Sequence, residues 1–249
     1  MKNQLGLLLA IILIIPCLSD AQSTAIAPRI SFTNRAGYFT ISANRKSTAL
    51  YVSDNEFPGV AFAAKSLQND IKAVTNSSPG IVNTVGDQKL LIIIGTTGKN
   101  ELIDKMIKQG KINAGEIIGK WEAHITQVVD NPAPGIKKAL VIAGSDKRGT
   151  IYGVYELSAQ IGVSPWYWWA DVPIPHHDNL YIASGKSTDK GPAVKYRGIF
   201  INDEAPAFSG WTKEKFGGVN HLVYEKMFEL ILRLKGNYLW PAMWGNAFN

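Results

Sequence analysis

Asn202-Asp203-Glu204 follows directly on the apolar run Ile199-Phe200-Ile201, with no turn-forming glycine between them. Two adjacent acids at the mouth of a buried strand are costly to place unless they face solvent, a partner or a substrate. Carboxylates in that position can donate or accept a proton in the reaction of a bound molecule, and Asn202 beside them suits a sugar hydroxyl. The same three residues also suit a plain cap on the loop Ala205-Pro206-Ala207-Phe208. Spacing alone leaves both readings open.

Aromatic residues form two further clusters. Tyr238-Leu239-Trp240-Pro241-Ala242-Met243-Trp244 again places rings at the C-terminal end of a strand-like segment. Flat rings such as Trp240 and Trp244 suit stacking on the C–H face of a sugar, and core packing is the competing reading. Trp166-Tyr167-Trp168-Trp169 is the second patch. Neighbours on a strand face opposite ways, so part of it must cover another element. It reads as an interdomain contact.

Two other motifs carry less. Gly144-Ser145-Asp146-Lys147-Arg148-Gly149 lies between a strand and a helix, where backbone N–H groups can hold an anion. It has neither the lysine-serine ending of a P-loop nor a GxGxxG pattern, so no nucleotide site is assigned. Lys147 and Arg148 can meet a carboxylate on a substrate, or form a solvated pair beside a helix capped by Asp146. His176-His177 lacks spaced acidic or histidine partners, so it is read as surface and no metal site is assigned. No cofactor is indicated.

The elements that must position these residues alternate. Val60, Ala63, Ala64, Leu67, Ile71 and Val74 fall on one helical face between about 59 and 75. Leu90 to Gly95 and Ala139 to Gly144 are continuous apolar runs closed by glycine, as expected of strands buried on both faces. Helices are expected over about 99–109 and 150–161, and a partly alternating strand over 123–129. Residues 28–183 therefore read as an α/β domain. The polar, turn-rich stretch 184–193 reads as a linker. After it come a strand from about 194 to 201, a helix from about 223 to 234 and a strand from 237 to 242, the opening of a second βα array. A closed eight-stranded barrel takes about 200 residues or more, and about 55 follow the linker. The expected class is thus α/β, with an N-terminal sandwich-like domain and the first βαβ portion of an incomplete (β/α)8 barrel over 194–249. In such barrels the C-terminal strand ends build the active site. With an unpaired sheet edge after Ala242, this last portion is expected to be loosely held, and a protease cutting near 184–192 to release a resistant N-terminal domain.

Composition bounds the partners. The chain has 249 residues, 46% hydrophobic and 18% charged, which is enough for a packed core. Its net charge of +6 comes from basic residues scattered along the chain, with no basic stripe interleaved with aromatics, which argues against nucleic acid. The N-terminus reads as an export signal: Lys2, the apolar run Leu5 to Pro16, and Ser19-Asp20-Ala21 ahead of cleavage after Ala21. The run is too short to span a bilayer. The only cysteine, Cys17, lies within residues 1–21, where Pro16 before it fits a lipoprotein signal poorly. The mature chain then has no thiol chemistry, and its destination is the periplasm or the exterior.

RGIFINDEAPAFSGWTKEKFGG and YEKMFELILRLKGNYLWPAMWGNAF together resemble the start of the catalytic barrel in glycoside hydrolase family 115, the xylan α-glucuronidases. LVIAGSDKRGTIYGVYELSAQIGVSPWYWWADVP is similar to the last part of that family's N-terminal domain. The resemblance implies a hydrolase that removes glucuronic acid or its 4-O-methyl ether from glucuronoxylan or its oligosaccharides, with inversion. It leaves room for a homo-oligomer of the full-length protein. Inversion needs an acid and a base about 6.5–9.5 Å apart, so the neighbours Asp203 and Glu204 do not supply both. The resemblance points to one of them as a catalytic carboxylate, Asp203 ahead of Glu204, with its partner on a later strand and this chain inactive alone. It carries Asn202, Trp240 and Trp244 over as substrate-binding residues, with Lys147 and Arg148 as contacts to the substrate carboxylate. A non-catalytic carbohydrate-binding or accessory α/β module is the alternative.

Overall fold

The computed structural model describes residues 29–202 and 204–240. Asp203, Trp244 and the expected signal segment 1–21 lie outside them. In chain order the elements are β1 (Ile30–Ser31), β2 (Phe39–Ala43), β3 (Lys46–Ser47), β4 (Leu50–Val52), α1 (Pro58–Thr75), β5 (Ile81–Val82), β6 (Leu90–Thr96) and α2 (Glu101–Lys108). There follow β7 (His124–Asp130), β8 (Lys138–Gly144), α3 (Lys147–Gln160), β9 (Leu180–Ile182), β10 (Lys186–Asp189), β11 (Gly198–Phe200), α4 (Ala207–Phe216), α5 (His221–Arg233) and β12 (Tyr238–Trp240). Among the described residues, no helix is long and apolar enough to cross a membrane.

A six-stranded sheet ordered β10-β7-β8-β6-β4-β5 is the centre of the N-terminal part. Strands β5, β4, β6 and β8 run parallel, while β7 and β10 run antiparallel to their neighbours. The apolar runs need no polar alternation because both faces are covered. Ile92, Ile94, Leu140 and Ile142 pack with α1, α3 and the small sheet β1-β9-β2-β3. Leu91, Ile93, Ala139 and Val141 pack on the other side with Ile103 and Met106 of α2 and with Ile112 and Ile117. Burying each isoleucine contributes roughly 1.5–3 kcal/mol. Helix α1 starts on Pro58 and ends at Asn76 in the left-handed conformation; α3 is capped by Asp146, whose side chain accepts the Gly149 N–H at 2.8 Å. Gly153 lets α3 lie close on the sheet, because a side chain there would run into Ile142 and His124.

One expectation changes. Residues 186–189 of the expected linker form β10, paired with residues 124–127 of β7. Their backbone completes the sheet edge, and Lys186 also reaches Glu116 at 2.6 Å. The C-terminal unit meets the N-terminal domain where α5 packs on α3. Arg233 at the end of α5 is buried and makes two 3.0 Å bonds to Asp70 of α1 and one of 2.9 Å to Glu229. Its guanidinium lies 4.6 Å from the Tyr155 ring centre and 5.0 Å from that of Tyr167. Burial opposes its charge, but Asp70 and Glu229 outweigh that and push its pKa up.

Candidate functional site

Strands β11 and β12 are parallel, with Gly198 opposite Tyr238, Ile199 opposite Leu239 and Phe200 opposite Trp240. The ladder runs one step further through the Ile201 N–H to the Trp240 carbonyl, 3.0 Å. Alternation then sorts the side chains. Ile199, Ile201 and Leu239 pack with Val223, Tyr224 and Met227 of α5. Phe200, Asn202, Tyr238 and Trp240 take the opposite, exposed face. Phe200 is 51% exposed and Trp240 54%, and their rings meet edge to face at 5.6 Å. The continuous apolar spelling of Ile199-Phe200-Ile201 thus hides a two-faced strand.

At the C-terminal end of β11, the Asn202 side-chain oxygen accepts the Glu204 N–H at 3.2 Å, a short turn that aims the chain away from the strand. Asn202 and Glu204 are both exposed. Asp203, between them in sequence, is outside the described residues. The structure therefore brings Asn202, Glu204 and Trp240 to one end of the parallel pair. That end offers a carboxylate, an amide and open aromatic rings, which is the chemistry needed to grip a sugar.

Lys147 and Arg148 belong to the other end. Lys147 is exposed on the first turn of α3, and Arg148 donates from Nε to Glu122 Oε1 at 2.6 Å. The carboxylate that Arg148 meets is the protein's own. Buried Glu122 also accepts from Arg197 Nη2 at 2.6 Å and from Asn237 Nδ2 at 2.8 Å. Arg197 and Asn237 immediately precede β11 and β12; the Asn237 N–H donates to the Arg197 carbonyl at 2.7 Å, and the Arg197 N–H to the Asn237 side-chain oxygen at 3.0 Å. Five residue steps of extended chain separate Arg197 from Asn202, roughly 16 Å. Burial opposes the charge of Glu122, but Asn237, Arg197 and Arg148 outweigh it and hold its carboxyl below the usual range. Glu122 thus pins the N-terminal ends of both strands to the α/β domain. The bonds span 26, 75 and 115 positions of the sequence, which carries no local signal for them.

His124, Glu156 and Asp189 offer ligand atoms within 4.8 Å of one another, the spacing of a metal cluster. Lys235 Nζ lies 2.6 Å from Glu156 and 2.7 Å from Asp189, so an ammonium already supplies the positive charge. Burial works against Glu156, yet His124 and Lys235 pull its pKa down to about 2. The cluster is an ion-pair junction between β7, α3, β10 and the turn that follows α5.

The tryptophan patch joins the two parts of the chain. The Trp169 indole donates to the Lys226 carbonyl of α5 at 3.3 Å, and Trp168 and Trp169 lie 6.2 and 5.6 Å from Trp211 of α4. Tyr167, Trp168, Trp169, Phe208, Trp211 and Phe216 also line an open cleft of about 910 Å³. His177 stacks on Phe32 at 3.5 Å, and His176 sits 3.4 Å from Asp178.

The α/β domain is thus joined to a parallel βαβ unit that carries amide, carboxylate and aromatic groups at its strand ends. Residues 189–249 match the profile of Glycosyl hydrolase family 115. A structure described as a novel family 115 4-O-methyl-α-glucuronidase, with specificity for decorated arabinogalactans, is 33% identical with a TM-score of 0.71. That likeness covers 82% of this chain and 26% of the other. The chain belongs to glycosyl hydrolase family 115. It spans about a quarter of the length of that relative. A Streptomyces plicatus β-hexosaminidase is 13% identical over 82% of this chain and 31% of its own, with a TM-score of 0.48. A β-N-acetylhexosaminidase from Streptomyces coelicolor is 12% identical over the same shares, with a TM-score of 0.45. No curated protein sequence matches the chain.

Proposed function

We propose that this chain is the N-terminal portion of an exported α-glucuronidase that removes glucuronic or 4-O-methylglucuronic acid from xylan side chains by inverting hydrolysis. The observation that carries this reading is the two-faced β11–β12 pair in a family 115 chain. One face is buried on α5, while the other presents Asn202 and Trp240 at the C-terminal strand ends. Residues 194–249 are read as the first part of a (β/α)8 barrel, whose active site would form at that end.

In this mechanism Asp203 is one of the two acting carboxylates, and the other comes from a later strand of the barrel. One carboxyl protonates the glycosidic oxygen while the other removes a proton from water on the opposite face of the sugar. Asn202 hydrogen-bonds a sugar hydroxyl, and Trp240 and Trp244 stack on the ring. Glu204 takes a supporting role beside Asp203. Because the pair is split between segments, the 249-residue chain alone is expected to be inactive.

The test is release of 4-O-methylglucuronic acid by the chain extended with the sequence that follows residue 249 in its gene. Glucuronoxylan and a decorated arabinogalactan are both offered, since the relative with 33% identity is described as specific for the latter. Nuclear magnetic resonance of the first-formed anomer reads the stereochemistry. Release with inversion from glucuronoxylan supports the reading; release from arabinogalactan alone changes the backbone assigned, and release from neither removes the enzyme.

A further inference from the structure

The N-terminal ends of the central strands β6 and β8 and the C-terminal part of α2 line an open pocket of about 580 Å³. Ligand pockets typically run about 300–1,000 Å³. Lys89, Lys105, Lys111 and Lys137 line it, and no aspartate or glutamate does. Its floor is apolar: Ile136 is buried, and Leu102 and Ala133 pack on the same core cluster. Gln109 adds an amide at the rim. The Lys111 ammonium is fixed by a 2.6 Å bond to the Asn131 carbonyl, and the Lys89 carbonyl accepts the Lys137 N–H at 2.8 Å, which holds those two lysines side by side. Among the described residues Lys105 pairs only with Glu101, 4.0 Å away and exposed. Four like charges around one pocket repel each other, and an anion seated among them removes that repulsion.

We propose that this pocket is a binding site for a hexuronate, with the sugar carboxylate among the lysines and an apolar ring face on Leu102 and Ala133. A cationic wall over an apolar floor fits an acidic sugar better than a bare inorganic anion, which would leave the floor unused. Preference for a uronate over other carboxylates rests on the glucuronidase reading. Exposed charge pairs are individually weak, so a single sugar binds loosely, and a glucuronate-bearing polysaccharide presents many copies of it to the one pocket.

The experiment is titration of the full chain with D-glucuronate, D-glucose and sulfate, followed by amide shifts in nuclear magnetic resonance. Affinity electrophoresis in gels holding glucuronoxylan or unsubstituted xylan runs beside it. Glucuronate should shift residues 131–137, glucose should not, and glucuronoxylan alone should retard migration. The K89A/K137A double variant should weaken glucuronate binding about tenfold, the loss of roughly 1.4 kcal/mol, while K120A leaves it unchanged. Both variants alter exposed side chains, and circular dichroism confirms that they fold. Equal binding of glucose, equal competition by sulfate at matched ionic strength, or wild-type binding by K89A/K137A each overturns the site. Its failure is separable from that of the enzyme reading: K89A/K137A in the extended protein should release uronic acid from short oligosaccharides at the wild-type rate. If the extended protein releases none while glucuronate still binds the pocket, the enzyme reading fails and the site stands.

Discussion

The central sheet of the α/β domain and the β11–β12 pair are built from similar apolar residues but solve different problems. Strands β6 and β8 are buried on both faces, so every residue of Leu91 to Ile94 and Ala139 to Ala143 has apolar neighbours. Strands β11 and β12 bury one face on α5 and leave Phe200, Tyr238 and Trp240 open on the other. A three-residue pair with half its surface uncovered is marginal by itself. It is held by ion pairs: Arg233 to Asp70, Glu122 to Arg197 and Arg148, and Lys235 to Glu156 and Asp189. The difference teaches that packing fixes the first region and charge geometry registers the second.

The largest effect should come from breaking the deepest pair. Arg233→Ala leaves Asp70 buried without its partner and should cost about 3–5 kcal/mol, read as a lower denaturation midpoint with the α5 region first to be cleaved by protease. If only the global midpoint moved and α5 kept its protection, the two regions would not be separable. Ile93→Ala tests the other side of the comparison. It should cost about 3 kcal/mol through a cavity, while hydrogen exchange in α5 keeps its rank relative to the sheet.

Glu122→Gln keeps the shape but weakens the charge-assisted bonds from Arg148 and Arg197, at about 2 kcal/mol. Loosening of β11 and β12 ahead of β6, seen by hydrogen exchange, is the expected pattern. Acid should loosen the same seam. The folded pKa of Glu156, about 2, lies below its usual 4.5, so its contribution is complete above that usual value and fades as pH falls toward 2. Lys235 is shifted upward, burial being outweighed by Glu156 and Asp189; its contribution is complete below 10.5 and is lost as pH rises through the raised value. Thermal melts between pH 7 and pH 2.5 should show the C-terminal unit leaving first. The smallest effect is Trp240→Ala, within about 0.5 kcal/mol for an exposed ring, although polysaccharide turnover by the extended protein should fall.

Much of this fold is legible in the sequence. The runs 90–95 and 139–144 announce β6 and β8, and the helical spacing of Val60 to Val74 announces α1, because deep burial forces a clear pattern. Polar or short elements escape. Lys186-Ser187-Thr188-Asp189 spells a linker, yet an edge strand needs only backbone partners on one side. Strands β1 and β3 have two residues each, too few for any period to show. Helix α4 carries no apolar stripe and has Gly210 inside it. At the candidate site, Asn202 and Trp240 are readable because strand ends next to polar and aromatic residues are informative. The Glu122 clamp is not, since its partners meet only after the chain has folded. Arg148 shows the limit most plainly: a basic residue at a helix start suggests an anion, and the anion is internal.

The central claim is that the C-terminal end of β11 carries a catalytic carboxylate. It is tested most directly by turnover of 4-O-methylglucuronoxylan oligosaccharides by the extended protein and its D203N variant, with circular dichroism and melting matched. The account predicts a loss of about 10²–10⁴-fold in kcat for D203N and a much smaller loss for E204Q. Wild-type turnover by a folded D203N protein would contradict it.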